Sequence, residues 1–275
     1  MNYATVMIYL EPGNPNTRLL DTALDFSSRF DANVIGIAAS QPLQMMYVDP
    51  YVSGVMVEQD MEDVEAHLEV AKIEFFEAFK SYAGNVEWRS ATVLEAIADY
   101  VAREARSANL LMIHVQSDAL SNPHRLTNTG DLVLKAGRPV LVVPETADPL
   151  SLDHLLIAWK DTREARRAVL DALPLLRKTI RVTVVEVAAR SELIDANIRV
   201  DDVCHWLNKQ AVTAETMVVQ SNGNDEQTLE SIAQSLGVGI IIAGAYGHSR
   251  LREWVFGGFT STLLHPSSRC SFLSH

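Results

Sequence analysis

The chain repeats itself, and that repeat decides what it can fold into. An apolar run Val6-Met7-Ile8-Tyr9-Leu10 is followed by a polar turn and a helical pattern containing Ala23-Leu24; Leu155-Leu156-Ile157-Ala158-Trp159 opens the same series, with Ala172-Leu173 in its helix. Leu94-x-x-Ile97-Ala98 recurs as Leu229-x-x-Ile232-Ala233, and Leu110–Ile113 recurs as Ile240–Ala243. Asp131-Leu132-Val133 with Arg138-Pro139 recurs as Thr262-Leu263-Leu264 with Arg269-Cys270. The order of elements is the same in both copies, as expected of two stacked or paired units. The offset shrinks along the chain, so the first copy carries extra residues, and 41–54 is the insertion. The polar stretch 144–149 is the natural boundary, which gives domains over 1–145 and 150–275.

Each copy alternates strands and helices. In the first, strands are expected near 4–10, 33–39, 85–91, 109–115 and 139–143, with helices near 16–30, 57–82, 93–107 and 124–136. In the second, strands fall near 154–160, 180–188, 214–220, 238–244 and 269–274, with helices near 162–177, 199–211, 226–236 and 258–266. Val57, Met61, Val64, Leu68, Ala71, Phe75 and Phe79 step by three and four, which marks one core-facing helix stripe. Pro174 is expected to end or kink its helix, because it lacks the N–H and clashes with the preceding turn. Wholly apolar strands such as Ile240-Ile241-Ile242 imply a buried parallel sheet with helices on both faces. The expected fold class is therefore α/β, as two tandem doubly wound five-stranded parallel sheets of order 3-2-1-4-5. The two last strands are apolar edges, and pairing them against each other would remove an aggregation hazard.

In such a sheet, ligands bind at the carboxyl ends of strands 1 and 4, where the chain changes direction. In the second copy those ends carry Lys160-Asp161-Thr162 and Gly244-Ala245-Tyr246-Gly247. Gly244-x-x-Gly247, nine residues, then Gly257-Gly258 and Thr260 follow a strand and lead into a helix. Glycines there let backbone N–H groups approach an anion, and a helix N-terminus favours one. The same glycines also fit tight turns and close helix–strand packing.

Net charge decides against some partners. Lys+Arg 23 against Asp+Glu 35 gives −12, with no basic run, so neither nucleic acid nor anionic membrane is an expected partner. Cys204 and Cys270 stand apart without a CxxC, and Cys204-His205 are adjacent, so no zinc site and no metal are expected. No Gly-x-Ser-x-Gly, P-loop or Gly-x-Gly-x-x-Gly motif occurs. The first residues lack a basic region and a long apolar stretch, and no window approaches the ~18 apolar residues of a membrane span, so a cytoplasmic protein is expected.

The Gly244-x-x-Gly247-x9-Gly257 spacing after a fourth strand resembles the ATP-binding signature of the universal stress protein family. So does the opening of the second copy: an apolar strand, the turn Lys160–Glu164, then an Ala-rich helix. The resemblance covers nearly the whole chain as two tandem copies. It implies a flavodoxin-like, adenine nucleotide alpha hydrolase-like fold and a non-enzymatic role in stress response. It also implies ATP or AMP at Lys160, Asp161, Gly244, Gly247, Gly257, Gly258 and Thr260, and an intramolecular pseudo-dimer, with a homodimer of the whole chain left open. The chain departs from the family where Gly258 replaces a Ser or Thr and Lys160 replaces an Asp. In the first copy His114 and Ser117 stand for the first two glycines, Leu126 for the third, and Glu11 for the Asp, so no nucleotide is expected there. Two other readings stay open: a slow ATP hydrolase, or an interaction or apolar-ligand module using Met45, Met46, Tyr47 and Tyr51.

Overall fold

The computed structural model describes residues 2–42, 54–115, 129–146, 149–245 and 269–275. Two compact units divide the chain, Asn2–Arg138 and Pro139–His275. Both are α/β, with mostly parallel sheet.

The first unit runs β1 (Thr5–Leu10), α1 (Thr17–Phe30), β2 (Asn33–Ser40), α2 (Gly54–Ala78), β3 (Val86–Thr92), α3 (Ile97–Glu104), β4 (Leu110–Val115) and α4 (Thr129–Lys135). Its strands lie in the order β3-β2-β1-β4. All three pairings are parallel. Val6–Leu10 is buried on both faces, as the unbroken apolar run requires. Helix α1 turns Leu19, Leu20, Ala23, Phe26 and Phe30 inward, and Asp31 ends it in the left-handed conformation (φ 51°). Helix α2 buries Val64, Leu68, Ala71 and Phe75, with Phe79 just past its end. Met61 departs from the expected stripe: it is 45% exposed. Gly36 of β2 makes this packing feasible. A Cβ there would lie 2.7 Å from Trp88 and 2.8 Å from Phe75. Those two rings meet with centroids 5.4 Å apart, and burying Phe75 alone is worth about 2–3 kcal/mol.

The second unit runs β5 (Val140–Pro144), β6 (His154–Ala158), α5 (Arg163–Asp171), α6 (Leu173–Leu176), β7 (Arg181–Ala188), α7 (Leu193–Lys209), β8 (Ala214–Gln220), α8 (Asp225–Ser235), β9 (Ile240–Gly244) and β10 (Cys270–Ser274). Its order is β8-β7-β6-β9-β10-β5. The first five strands are parallel. Strand β5 pairs antiparallel with β10 through Val142–Ser271, Leu141–Phe272 and Val140–Leu273. The last strand of the first sequence copy thus adds directly to the last strand of the second. The helix expected over 162–177 breaks at Ala172, and Pro174 sits in the first turn of α6, where its missing N–H costs nothing. Helix α7 starts at Leu193 rather than near 199. Ile194 and Ile198 are apolar yet exposed there, which blurs the pattern that would locate its first turns.

Candidate functional site

Strands β6 and β9 are parallel neighbours, with Ala158 opposite Ala243. From β6 the chain steps outward to β7 and β8; from β9 it steps the other way to β10. The carboxyl ends of β6 and β9 therefore flank the switch point of this sheet. Lys160 and Asp161 follow β6 past the buried Trp159, and Gly244 ends β9. These three candidates come to neighbouring strand ends. The other four, Gly247, Gly257, Gly258 and Thr260, lie outside the described residues, as does the helix expected over 258–266.

The turn after β6 is built to start a helix. Thr162 is extended (φ −124°, ψ 161°), and its Oγ1 accepts from the Ala165 N–H at 3.2 Å. Glu164 in the first turn is buried and paired with Arg163, a charge placement that suits the helix dipole. Asp161 accepts from Arg166 Nη1 at 2.5 Å. Gly244 packs against this same turn: a Cβ on it would lie 2.4 Å from the Ala165 nitrogen and 2.5 Å from the Glu164 carbonyl carbon. Ala245 is tied down in turn, its N–H donating to Ser274 O at 2.8 Å.

Beside these groups lies a cleft of about 240 Å³, lined by Lys160, Asp161, Thr162, Glu186, Glu192, Asp195 and Arg199. Four carboxylates face two cations. Glu186, its side chain 7% exposed, is clamped by Arg199, whose Nε lies 3.1 and 3.2 Å from its two carboxylate oxygens. Such a fork is the strong form of a charged hydrogen bond. Lys160 is exposed and holds no ion pair among the described residues. The cleft can thus accept hydroxyl and amine donors at its carboxylates and one anionic group at Lys160, whereas a long polyphosphate meets net repulsion. Sequence reasoning missed Glu186, Glu192, Asp195 and Arg199. The signal was present: a Glu inside the apolar strand Arg181–Ala188 demands a nearby cation.

The corresponding end of the first unit differs. Registers Val6–Leu110 and Ile8–Met112 bring the ends of β1 and β4 together. Glu11 just past β1 and His114 in β4 are both buried. Burial raises the Glu11 carboxyl from 4.5 to about 7, against a lowering by the Asn14 hydrogen bond at 3.4 Å. The Asn16 side chain organises the turn: its Oδ1 accepts from Glu11 N at 3.0 Å, and its Nδ2 donates to Glu11 O at 3.2 Å, Asn14 O at 2.9 Å and Glu74 Oε2 at 3.3 Å. Ser117 and Leu126 lie outside the described residues, as do Met45, Met46, Tyr47 and Tyr51.

A second cavity, about 330 Å³, opens at the amino ends of β9 and β10, lined by Leu150, Ser151, Gln234, Gly237–Gly239, Arg269 and Cys270. It lies at the opposite ends of the strands from the switch point, and its Arg269 is paired with Glu230. No group of three metal-ligating side chains occurs among the described residues. Burial pushes the Cys204 thiol up to about 11, so it is a poor nucleophile at neutral pH. No helix among the described residues is long and apolar enough to cross a membrane.

No protein-family model matches the chain, and no curated protein matches it. Solved structures do. A universal stress protein from Archaeoglobus fulgidus DSM 4304 is 11% identical with a TM-score of 0.70, over 98% of this chain and 97% of that one. A functionally unknown protein from Pseudomonas aeruginosa PAO1 is 12% identical with a TM-score of 0.62, over 99% and 92%. The whole chain thus has the fold seen in a universal stress protein of the same length.

Proposed function

We propose that the chain is a universal stress protein of tandem form, a non-enzymatic stress-response protein whose second repeat binds an adenine nucleotide weakly. The observation that carries this reading is the meeting of Lys160, Asp161 and Gly244 at the adjacent ends of β6 and β9, the position where sheets of this kind hold ligands. The nucleoside lies toward Lys160 and Asp161, with its ribose hydroxyls donating to the cleft carboxylates. The phosphates lie toward Gly244, Gly247, Gly257, Gly258 and Thr260. The acidic cleft favours AMP over ATP, because each added phosphate brings more negative charge toward Asp161, Glu186, Glu192 and Asp195. The first repeat binds none, since buried Glu11 and His114 occupy the equivalent strand ends. The antiparallel pairing of β5 with β10 supports reading the two repeats as an intramolecular pseudo-dimer. The chain works in the cytoplasm.

The test is native purification without added nucleotide, then mass spectrometry of whatever small molecule co-purifies. Recovery of an adenine nucleotide at up to one per chain supports the proposal. Stoichiometric recovery of a different class, such as a lipid or an apolar metabolite, contradicts it.

A further inference from the structure

We propose that the outward face of α2 is a docking surface for a basic amphipathic helix of a partner protein. The proposal is independent of nucleotide binding. Helix α2 buries Val64, Leu68, Ala71 and Phe75. Its opposite face is not the polar surface that such a helix normally presents. Val70, Ile73 and Phe76 are 52%, 60% and 43% exposed. They follow one another at three-residue steps, so they form one patch. Ile73 is two residues from Phe75 and so points about 200° round the helix from it, into solvent. Clustered apolar side chains of this size in water mark contact sites.

The rim says what the occupant is. From Gly54 to Ala78 the helix carries eight carboxylates and one lysine. Glu62, Glu69 and Glu77 flank the apolar patch. Glu69 and Glu77 are paired, with Lys72 at 3.0 Å and with Lys80, so the net negative charge on this face comes from Glu58, Glu62 and Glu65 in the turns before the patch, which are exposed and hold no ion pair among the described residues. A second copy of the chain would set two such acidic faces against each other, and like charges juxtaposed at an interface disfavour it. An anionic membrane or a nucleic acid is repelled for the same reason. A helix with apolar side chains at i, i+3, i+4 and i+7 and Lys or Arg beside them meets both features at once. Along this face Glu62 to Phe76 spans about 21 Å, which accommodates about four turns of a partner helix. Helix α7 makes the contrast. Its Ile194 and Ile198 are 79% and 58% exposed, but it carries three carboxylates against two cations, so it lacks the field that would select a basic partner.

The experiment titrates the full chain into two fluorescent helical peptides with the same leucines at i, i+3, i+4 and i+7. In one the remaining positions are mostly Lys and Arg; in the other they are mostly Glu. The basic peptide binds, and binding weakens as salt rises. The exposed double variant I73S/F76S, checked by circular dichroism, weakens it at least tenfold, while I194S/I198S stays within twofold of wild type. The proposal is overturned by any of four results: no binding of the basic peptide, equal binding of the acidic one, unchanged affinity in I73S/F76S, or a wild-type dimer that I73S/F76S dissociates. The last would make a second copy the occupant.

Discussion

Gly244 and Ala165 are in backbone contact. A Cβ on Gly244 would lie 2.4 Å from the Ala165 nitrogen, the same N–H that Thr162 Oγ1 caps. Neither atom can rotate away, since the nitrogen is main chain and a Cβ is fixed by the backbone that carries it. Gly244→Ala is therefore expected to cost about 1–3 kcal/mol, as forced overpacking does, and to lower the urea midpoint. An Ala variant as stable as wild type would show that the end of β9 can shift away from α5. This contact also separates two uses of glycine in one motif. Gly244 has a packing reason to be glycine whatever binds nearby, so it is a poor probe of the anion site.

Glu11 sets a pH dependence with a definite sign. Its carboxyl titrates at about 7 when folded, against 4.5 ordinarily. Between those values the folded chain holds a proton that the unfolded chain has lost. Stability contributed by this group therefore falls as pH rises from about 4.5 to about 7, by roughly 3 kcal/mol at most. Glu11→Gln removes the dependence. Urea unfolding at pH 5 and pH 8 should show the Gln variant gaining on wild type at the higher pH. A difference that does not change with pH would contradict the assignment.

Arg199 compensates a buried charge. Removing it leaves the Glu186 carboxylate, 7% exposed, without its cation. Arg199→Ala is expected to destabilise by about 2–4 kcal/mol, and the double variant Glu186→Gln/Arg199→Ala to recover part of that loss. Strictly additive effects in the double-variant cycle would show the two groups uncoupled.

The sheet was legible in the sequence because its central strands are apolar on both faces, with turn residues between; the outer strands Val86–Thr92 and Ala214–Gln220 are half-exposed. Val140–Val143 and Ile240–Ile242 have few other places to go. The core stripe of α2 was legible down to Val64. It failed at Met61, which is 45% exposed while the neighbouring Asp60 is the buried residue of that turn. The site was half legible. Lys160, Asp161 and Gly244 follow from their positions at strand ends, which topology brings together. Arg199 does not, because it acts through Glu186 thirteen residues earlier and across two elements, a relation that no local period carries. Gly244 was read for its spacing, whereas its nearest neighbour is a helix turn some eighty residues back.

An adenine nucleotide site in the second repeat is put to the test by calorimetric titration of the full chain with AMP and with ATP. Wild type should bind one nucleotide per chain, weakly, with AMP at least as tight as ATP. Gly247→Val should abolish the heat, because the proposed site needs a bare backbone at that glycine and a β-branched side chain would block a phosphate's approach. No heat from wild type at millimolar nucleotide, or equal binding by the valine variant, would contradict the claim and leave the glycines as turn and packing residues.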